Sequence, residues 1–305
     1  MSAIEQTMSA GPQRSMGENA RLYMDIARPK VMALVVFTGL PALALGLPEW
    51  PSLTKALWVM AGTAMAGGAS SAINAYLERD FDALMARTRN RPLPASSVLP
   101  KTVLLYGVLL TVLSTIVLWY IGGPLAAGVG LTTIAFYVGI YTMWLKPRTP
   151  QNIVIGGAAG ATAPLIAAAA ATGELTPGAW ILFAIIFLWT PPHFWAVGIF
   201  RREEYKAAGF PMMPLVVGDQ PTRWRSLAYT LAMIPVTLAP YFLGYVGLLY
   251  LVGAVALNAW FLWVLIASMR AQSKAADWKV FKVSIGYLTF LFLVMLVDLA
   301  AFGPQ

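Results

Sequence analysis

Long apolar runs separated by short polar loops dominate the hydrophobic pattern of the chain. A helix needs about 20 apolar residues to cross the hydrocarbon core of a bilayer. Because neighbouring helices can satisfy the backbone groups that Gly and Pro leave free, such residues are tolerated inside a membrane span. The pattern predicts an all-α integral membrane protein with nine transmembrane helices, near residues 31–48, 56–76, 102–121, 124–144, 153–172, 178–200, 226–245, 247–268 and 283–302.

The basic residues fall almost entirely on one side of this arrangement. Of the 21 Lys and Arg residues, 20 lie in the N-terminal arm or in the loops that follow even-numbered spans, and Lys55 alone lies on the other side. Cytoplasmic loops of membrane proteins carry an excess of Lys and Arg. We therefore expect the N-terminus in the cytoplasm and the C-terminus on the opposite side of the membrane. The division depends on the number of spans, so its cleanness favours nine.

The composition supports a membrane protein and narrows its chemistry. The chain is 59% hydrophobic and 11% charged, whereas soluble domains carry about 25% charged residues. The net charge of +8 belongs to the loops, with no basic stripe interleaved with aromatics, so we expect contact with the lipid bilayer and no nucleic-acid partner. The chain has no cysteine and one histidine, which exclude disulfides, thiolate metal sites and multi-histidine metal centres.

The first of two acidic clusters directly follows the second apolar run, in the stretch NAYLERDFDALMARTRNRPLP at residues 74–94. Asn74, Glu78 and Asp82 recur every four residues. In a helix each step of four turns the side chain by about 40°, so all three point to one side over two turns. Asp80 lies on the opposite side. The spacing predicts one face with an amide and two carboxylates at the mouth of the second span.

These residue types suit a metal-bridged diphosphate. Mg²⁺ binds to one or two carboxylates and completes its coordination with water and substrate phosphates. Arg87 and Arg91 follow the acids, and guanidinium groups bind phosphate oxygens in a bidentate manner. The alternative interpretation is an interfacial helix whose acids pair with its own arginines.

The second acidic cluster follows the sixth apolar run, in HFWAVGIFRREEYKAAGFPMMP at residues 193–214. It again mixes acids with cations: Glu203, Glu204, Arg201, Arg202 and Lys206. Both clusters close even-numbered spans, so they lie on the same side of the membrane. We expect the second and sixth spans, with their loops, to form two halves of one site.

The single histidine, His193, follows Pro191 and Pro192 inside the sixth apolar run. Proline removes a backbone hydrogen bond, so the pair predicts a local break in the helix that opens room beside the imidazole. Two interpretations remain open for His193: a contact with a ligand or substrate, or a hydrogen-bonded core residue.

At these residues the chain resembles the UbiA-type intramembrane prenyltransferases, whose first motif is Asn-x₃-Asp-x₃-Asp. Asn74, Glu78 and Asp82 fill this pattern, with Glu in place of the middle Asp. In place of a second Asp-x₃-Asp pattern the chain has RREEYKAAG. The resemblance runs from about residue 28 to residue 298. It is most specific to the branch that farnesylates haem b, through Met85, Arg87, Thr88, Arg91 and Pro92 and the stretches that begin at Tyr141, Thr190 and Lys279.

The resemblance implies a bundle of nine transmembrane helices around a central cavity. Residues 1–27 would form a flexible cytoplasmic arm, and residues 28–302 a single transmembrane prenyltransferase domain. The implied reaction transfers the farnesyl group of farnesyl diphosphate to a vinyl group of haem b, with addition of water. The short arm is typical of a bacterial rather than a mitochondrial protein, so we expect the bacterial inner membrane. A downstream haem-modifying enzyme or an oxidase assembly are further partners that this reaction suggests.

The resemblance also implies the roles of individual residues. Mg²⁺ is the implied cofactor, and haem b is a substrate. His193 is the candidate haem contact. The implied metal ligands are Asn74, Glu78, Asp82, Glu203 and Glu204, with Asn74, Glu78, Asp82 and Glu204 as the catalytic set. The implied diphosphate-binding residues are Arg87, Arg91, Lys146, Arg148 and Lys206.

Three other functions compete with this one. A prenyltransferase of the same family could act on an aromatic acid or quinone precursor. A transporter would also have many spans and broken helices, but its charges would lie near the bilayer midplane. A structural assembly factor for an oxidase gives no reason for an Asn-Glu-Asp face followed by arginines.

Overall fold

A computed structural model describes residues 15–47 and 49–302, and every regular element in these ranges is helical. A 3-10 turn at Pro41–Leu43 extends the second α-helix, and a π-helical segment at Phe136–Leu145 extends the fifth. The prediction of an all-α protein is confirmed. In chain order the α-helices are α1 (Met16–Ala27), α2 (Pro29–Gly39), α3 (Leu53–Leu77), α4 (Arg79–Leu84), α5 (Pro100–Ala135), α6 (Asn152–Gly160), α7 (Ala163–Thr172), α8 (Pro177–Phe200), α9 (Arg202–Ala207), α10 (Met213–Val217), α11 (Asp219–Phe242), α12 (Leu248–Ala271) and α13 (Lys274–Phe302).

Helix α1 forms most of the described part of the predicted N-terminal arm. Ser15 caps it, since its hydroxyl oxygen accepts from the Glu18 N–H and its own backbone N–H donates to the Glu18 carboxylate. Its Ile26 is buried, and its Tyr23 hydroxyl lies 2.9 Å from the Thr102 hydroxyl at the start of α5. The described end of the arm is therefore packed on the bundle, while residues 1–14 lie outside the described residues.

A corner at Arg28 joins α1 to α2. Arg28 adopts the left-handed conformation with φ 55°, and Pro29 then opens α2 with a φ already suited to a helix. The two helices are bent by 53° relative to each other. The corner places the Arg28 side chain beside the end of α3, where it donates to the Asn74 amide oxygen at 3.3 Å.

The chain reverses direction within α5, at Gly123. This glycine has φ 85° and ψ 173°, outside the helical region, and Pro124 follows it. A Cβ atom built on Gly130 would lie 2.8 Å from Leu118 Cδ1, whereas a straight helix would separate these residues by about 18 Å. Two helical halves therefore pack side by side, and they correspond to the predicted third and fourth spans.

Helix α8 runs without interruption from Pro177 to Phe200 and contains both Pro191 and Pro192. The predicted break beside His193 is wrong. The helix is buried along most of its length between α6, α11 and α13. This packing holds the helical path even though two backbone hydrogen bonds are missing, as neighbouring helices do in other membrane proteins.

Buried polar contacts fasten α11, α12 and α13 to one another. Near the loops, Arg223 forms a two-point ion pair with Asp277 at 2.9 and 2.6 Å, and Ser268 donates to the same carboxylate at 2.8 Å. At the other end, the Asp298 carboxylate accepts hydrogen bonds from the backbone N–H groups of Gly247 and Tyr250 at the start of α12. These contacts fix the position of α13 against α11 and α12.

Six helical segments of the described chain are long and apolar enough to cross a membrane, and the bent pair α1–α2 makes a seventh candidate. The six are α3, α5 with the π segment, α6 with α7, α8, α12 and α13. These lengths and compositions are those of a multi-pass membrane protein. Helix α11 is not among them, and it carries Asp219, Arg223 and Arg225 in its first two turns.

The reversal at Gly123 predicts the sidedness of three positions. Single cysteines replacing Ala95, Ile121 and Pro147 can be compared directly, since the chain has no cysteine of its own. An impermeant maleimide applied to oriented membrane vesicles should label positions 95 and 147 from the same side and position 121 from the other. A continuous helix of 46 residues would be about 69 Å long and would place positions 95 and 147 on opposite sides.

Candidate active site

Asn74, Glu78 and Asp82 lie on one face across the junction of α3 and α4. The Glu78 N–H donates to the Asn74 carbonyl at 2.9 Å, and the Asp82 N–H donates to the Glu78 carbonyl at 2.8 Å. The i to i+4 spacing therefore persists although Glu78 itself ends one helix and begins the next. All three side chains are buried, whereas Asp80 is exposed. The face that the spacing predicts is present.

Each carboxylate on this face is paired with a cation from another segment. Lys146 Nζ lies 2.6 Å from the Glu78 carboxylate. Arg91 Nη1 lies 2.9 Å from Asp82 Oδ2. Asn74 bridges two further segments, because its amide nitrogen donates to the Thr142 hydroxyl at 3.1 Å and its amide oxygen accepts from Arg28 at 3.3 Å.

The π-helical segment brings Lys146 to the face. Its wide turn ends with a hydrogen bond from the Lys146 N–H to the Tyr141 carbonyl at 2.9 Å. The ammonium group lies 4.8 Å from the centre of the Phe210 ring and 5.8 Å from that of Tyr141. Such wide turns are frequent at functional sites. Here the turn sets Thr142 and Lys146 side by side against Asn74 and Glu78.

A cavity of about 480 Å³ opens beside Asp82, between the α1–α2 corner and the loop before α5. Three of its lining residues are basic: Arg28, Lys30 and Arg91. Burial and the charge of Arg28 lower the pKa of Arg91, and the ion pair with Asp82 opposes that shift. Two carboxylates, Asp25 and Asp82, also line the cavity, so its three basic residues outnumber its acids by one.

The second acidic cluster reaches the first through one residue, Glu204. Its carboxylate pairs with Arg201 at 2.6 Å and accepts a hydrogen bond from the Arg87 backbone N–H at 3.4 Å. The side chains of Glu203 and Lys206 are exposed and make no ion pair or hydrogen bond within residues 15–47 and 49–302. Of the two neighbouring glutamates, the structure brings only Glu204 to the other loop.

The remaining predicted cations are less directly placed. The Arg87 side chain is exposed, although its backbone contacts Glu204. Arg148 is exposed, and its guanidinium donates to the carbonyls of Met143 and Trp144 at 2.9 and 3.1 Å, so it caps the end of the π segment.

Two basic residues that were not predicted as site residues, Arg28 and Lys30, line the cavity. Their positions in the sequence suggested only membrane sidedness. The Arg-Pro pair at residues 28 and 29 is the local signal for the corner that places them there.

The oxygen atoms of Asn74, Glu78 and Asp82 fit a Mg²⁺ site only if water and substrate oxygens complete the coordination. In the part of the chain that the structure describes, no group of three Asp, Glu, His or Cys side chains could hold a metal ion. Glu78, Asp82 and Asn74 supply two carboxylates and one amide oxygen on a single face. Mg²⁺ is commonly held in this way, by one or two carboxylates with water and phosphate oxygens filling the other positions.

His193 is buried in the seam between α8 and α13. Its ring stacks on Trp189 and Phe281, with centroids 4.3 and 4.7 Å apart. Its Nδ1 lies 2.7 Å from the Ser284 hydroxyl oxygen. The interpretation of His193 as a buried, hydrogen-bonded residue therefore matches its surroundings. A contact between His193 and a substrate stays a prediction.

Comparison with known proteins identifies the family to which this helical membrane protein belongs. A model of the UbiA prenyltransferase family matches residues 35–295. The chain belongs to this family. It is 43% identical to the protoheme IX farnesyltransferase of Parvibaculum lavamentivorans over 96% of this chain and 93% of that protein. It is 45% identical to the protoheme IX farnesyltransferase of Brucella anthropi over 93% of this chain and 94% of that protein.

Solved structures share the fold. A digeranylgeranylglyceryl phosphate synthase superposes with a TM-score of 0.76 at 17% identity, over 92% of this chain and 98% of that one. A UbiA homologue from Archaeoglobus fulgidus, bound to DMAPP and Mg²⁺, superposes with a TM-score of 0.62 at 17% identity, over 90% of this chain and 99% of that one. At these identities the likeness concerns the fold.

The ion pair between Lys146 and Glu78 generates a testable prediction. Replacing Lys146 by Met leaves a buried carboxylate without a cation, and replacing Glu78 by Gln leaves a buried ammonium without an anion. Each single change should lower the free energy of unfolding by about 3 kcal/mol. The double variant should lose less than either single variant. Unfolding followed by circular dichroism in mixed micelles measures the cycle, and simple additivity of the two losses would show that the groups do not interact.

Proposed function

We propose that the protein transfers the farnesyl group of farnesyl diphosphate to a vinyl group of haem b, with addition of water, giving haem O and diphosphate. The observation that carries this proposal is the buried Asn-Glu-Asp face, surrounded by Lys146, Arg91 and Arg28 at the loop end of the bundle. The family supports prenyl transfer. Relatives named protoheme IX farnesyltransferase, at 43–45% identity over nearly the whole chain, support haem b as the acceptor.

In this proposal Mg²⁺ is held by Asn74, Glu78 and Asp82, with Glu204 as the acid from the second cluster. Bound Mg²⁺ would neutralise charge that develops on the diphosphate as its bond to the farnesyl carbon breaks. The homologue bound to DMAPP and Mg²⁺ supports a divalent ion beside an isoprenyl diphosphate. Glu203 is the weaker candidate ligand, because its side chain is exposed and contacts no other described residue of the site.

The basic residues bind the diphosphate and hold it at the membrane edge. Arg91 and Arg28 face the cavity beside Asp82, and Lys146 stands beside Glu78. Diphosphate oxygens would take over part of the hydrogen bonding that these cations now give to the acids. Arg87 lies in the turn after α4 and Lys206 lies in α9, and both side chains are exposed beside the site. Arg148 is assigned a supporting role, since its guanidinium caps the π segment.

The chemistry then proceeds on the substrates. The carbon–oxygen bond of farnesyl diphosphate breaks, and its electron pair leaves with the diphosphate. The haem vinyl group forms a bond to the allylic carbon, and water captures the cation left on the porphyrin side chain. The added water then loses one proton to the solvent and leaves a hydroxyl group. The apolar bundle shields the first cation from water, because early capture would give farnesol instead of a haem product.

His193 contacts haem b in this proposal, through a neutral ring nitrogen that binds the iron. It lies within α8, eight residues before Arg201, which pairs with Glu204. Eight residues of helix correspond to about 12 Å. The porphyrin would therefore lie deeper in the bundle than the diphosphate, as expected for an apolar acceptor and a charged leaving group.

The same proposal includes nine transmembrane helices in one domain, residues 28–302, in the bacterial inner membrane. The two halves of α5 and the additional helix α11 raise the candidate spans from seven to nine. With nine spans, the acids and most basic residues face the cytoplasm, where water-soluble diphosphate can leave. The C-terminus then lies on the opposite side.

Asp82 and Asp80 provide a matched test of this function. Asp82 lies on the buried face and Asp80 two residues away is exposed. Asp82→Ala should reduce formation of farnesylated haem by about a hundredfold to a thousandfold, as loss of a charge-stabilising group does. Asp80→Ala should retain activity near that of the parent. Equal activities, or full activity of Asp82→Ala at saturating Mg²⁺, would contradict the metal role.

A further inference from the structure

Aromatic side chains from α8 and α13 pack on the His193 ring and hold it in place. The rings of Trp189 and Phe281 stack on the imidazole at interplanar angles of 19° and 30°. Phe194 meets it edge-on, with centroids 5.0 Å apart. The Trp189 indole N–H is itself anchored, since it donates to the Ser284 carbonyl at 2.8 Å. These contacts leave the imidazole little freedom to rotate.

The hydrogen bonds of Ser284 decide which imidazole nitrogen carries the proton. The Ser284 hydroxyl oxygen lies 2.7 Å from the Phe281 carbonyl oxygen and 2.7 Å from His193 Nδ1. A carbonyl oxygen can only accept, and a hydroxyl has one proton to donate. The hydroxyl therefore donates to Phe281 and accepts from the Nδ1–H group of His193. The opposite assignment would set two acceptor oxygens 2.7 Å apart with no proton between them.

The other nitrogen, Nε2, then carries the free lone pair. It makes no hydrogen bond to any residue in the described ranges. The histidine keeps 8% of its surface accessible, so the ring is not completely enclosed. A neutral imidazole with a free in-plane lone pair is the form that binds a haem iron.

We propose that Ser284 is a positioning residue, which holds His193 as the Nδ1–H tautomer and directs Nε2 toward the iron of haem b. This inference rests on the proposed function. Groups that bind the second nitrogen of a metal-binding histidine fix its tautomer and orientation and raise its basicity. Here a serine from α13 does so for a histidine from α8, and the contacts that fasten α13 to α11 and α12 keep that serine in place.

A ladder of stacked rings connects this histidine with the diphosphate end of the site. Phe281 stacks on Trp278 at 4.8 Å, and Trp278 stacks on Phe200 at 4.6 Å. The Arg201 guanidinium lies 5.8 Å from the Trp278 ring and pairs with Glu204. The aromatic side chains that pack on the imidazole therefore belong to a continuous series of contacts. That series ends at Arg201 and Glu204, in the second acidic cluster.

The test is a titration of ferric haem b into the full-length protein in lipid nanodiscs, read by the Soret band and by electron paramagnetic resonance. Ser284→Ala should weaken haem affinity by about tenfold to a hundredfold and shift the Soret maximum. Ser284→Thr, which keeps the hydroxyl, should restore both. Ser114→Ala is the matched control, because Ser114 is also buried and donates to a carbonyl three residues earlier, at 2.9 Å.

The outcomes separate this inference from the function on which it rests. If His193→Ala abolishes the iron signal while Ser284→Ala and Ser284→Thr both match the parent, the role of Ser284 is wrong and that of His193 stands. If His193→Ala leaves affinity and spectrum unchanged, both roles are wrong. If the parent binds no haem, the proposed acceptor itself fails. Thermal unfolding of each variant identifies any that does not fold, and Ser284→Cys, a weaker acceptor, then replaces Ser284→Ala.

Discussion

The burial of two carboxylates at the edge of a membrane bundle is the constraint on which the site depends. A carboxylate withdrawn from water is costly unless a cation and hydrogen bonds compensate it. Glu78 and Asp82 receive that compensation from Lys146 and Arg91, which belong to other segments of the chain. The π segment, the loop before α5 and the α1–α2 corner must therefore all converge on the end of α3. In the proposed function, the same convergence would supply the cations that bind the diphosphate.

The two ends of the proposed reaction are held by different physical means. The diphosphate end uses charge: Arg28, Arg91 and Lys146 gather around an acidic face. The proposed haem end would use packing and one hydrogen bond, because His193 lies between stacked rings and its Nδ1 lies 2.7 Å from the Ser284 hydroxyl oxygen. Charge near the loops allows the product anion to leave into water. In the proposed reaction, the apolar interior would protect the carbocation from water and orient the flat acceptor.

The helices could be predicted from the sequence because a span leaves a long apolar run, and the runs at 56–76 and 178–200 coincide closely with α3 and α8. The shared face of Asn74, Glu78 and Asp82 followed from helical periodicity alone. The partners of that face could not be predicted, since Arg28 and Thr142 reach Asn74 only through the packing of distant segments. The predicted break at Pro191 and Pro192 failed for the same reason, as tertiary packing keeps α8 intact.

Mass spectrometry of the reaction product tests the central claim most directly. Purified protein in lipid would receive haem b and farnesyl diphosphate, in parallel with Mg²⁺ and with EDTA, and a second tube would contain 4-hydroxybenzoate instead of haem. A haem product heavier by one farnesyl group and one water, formed with Mg²⁺ and absent with EDTA, is the predicted result. No haem adduct, but prenylation of 4-hydroxybenzoate, would keep the metal-dependent site and contradict haem b as the acceptor. A haem adduct formed equally well in EDTA would contradict the role of the Asn-Glu-Asp face.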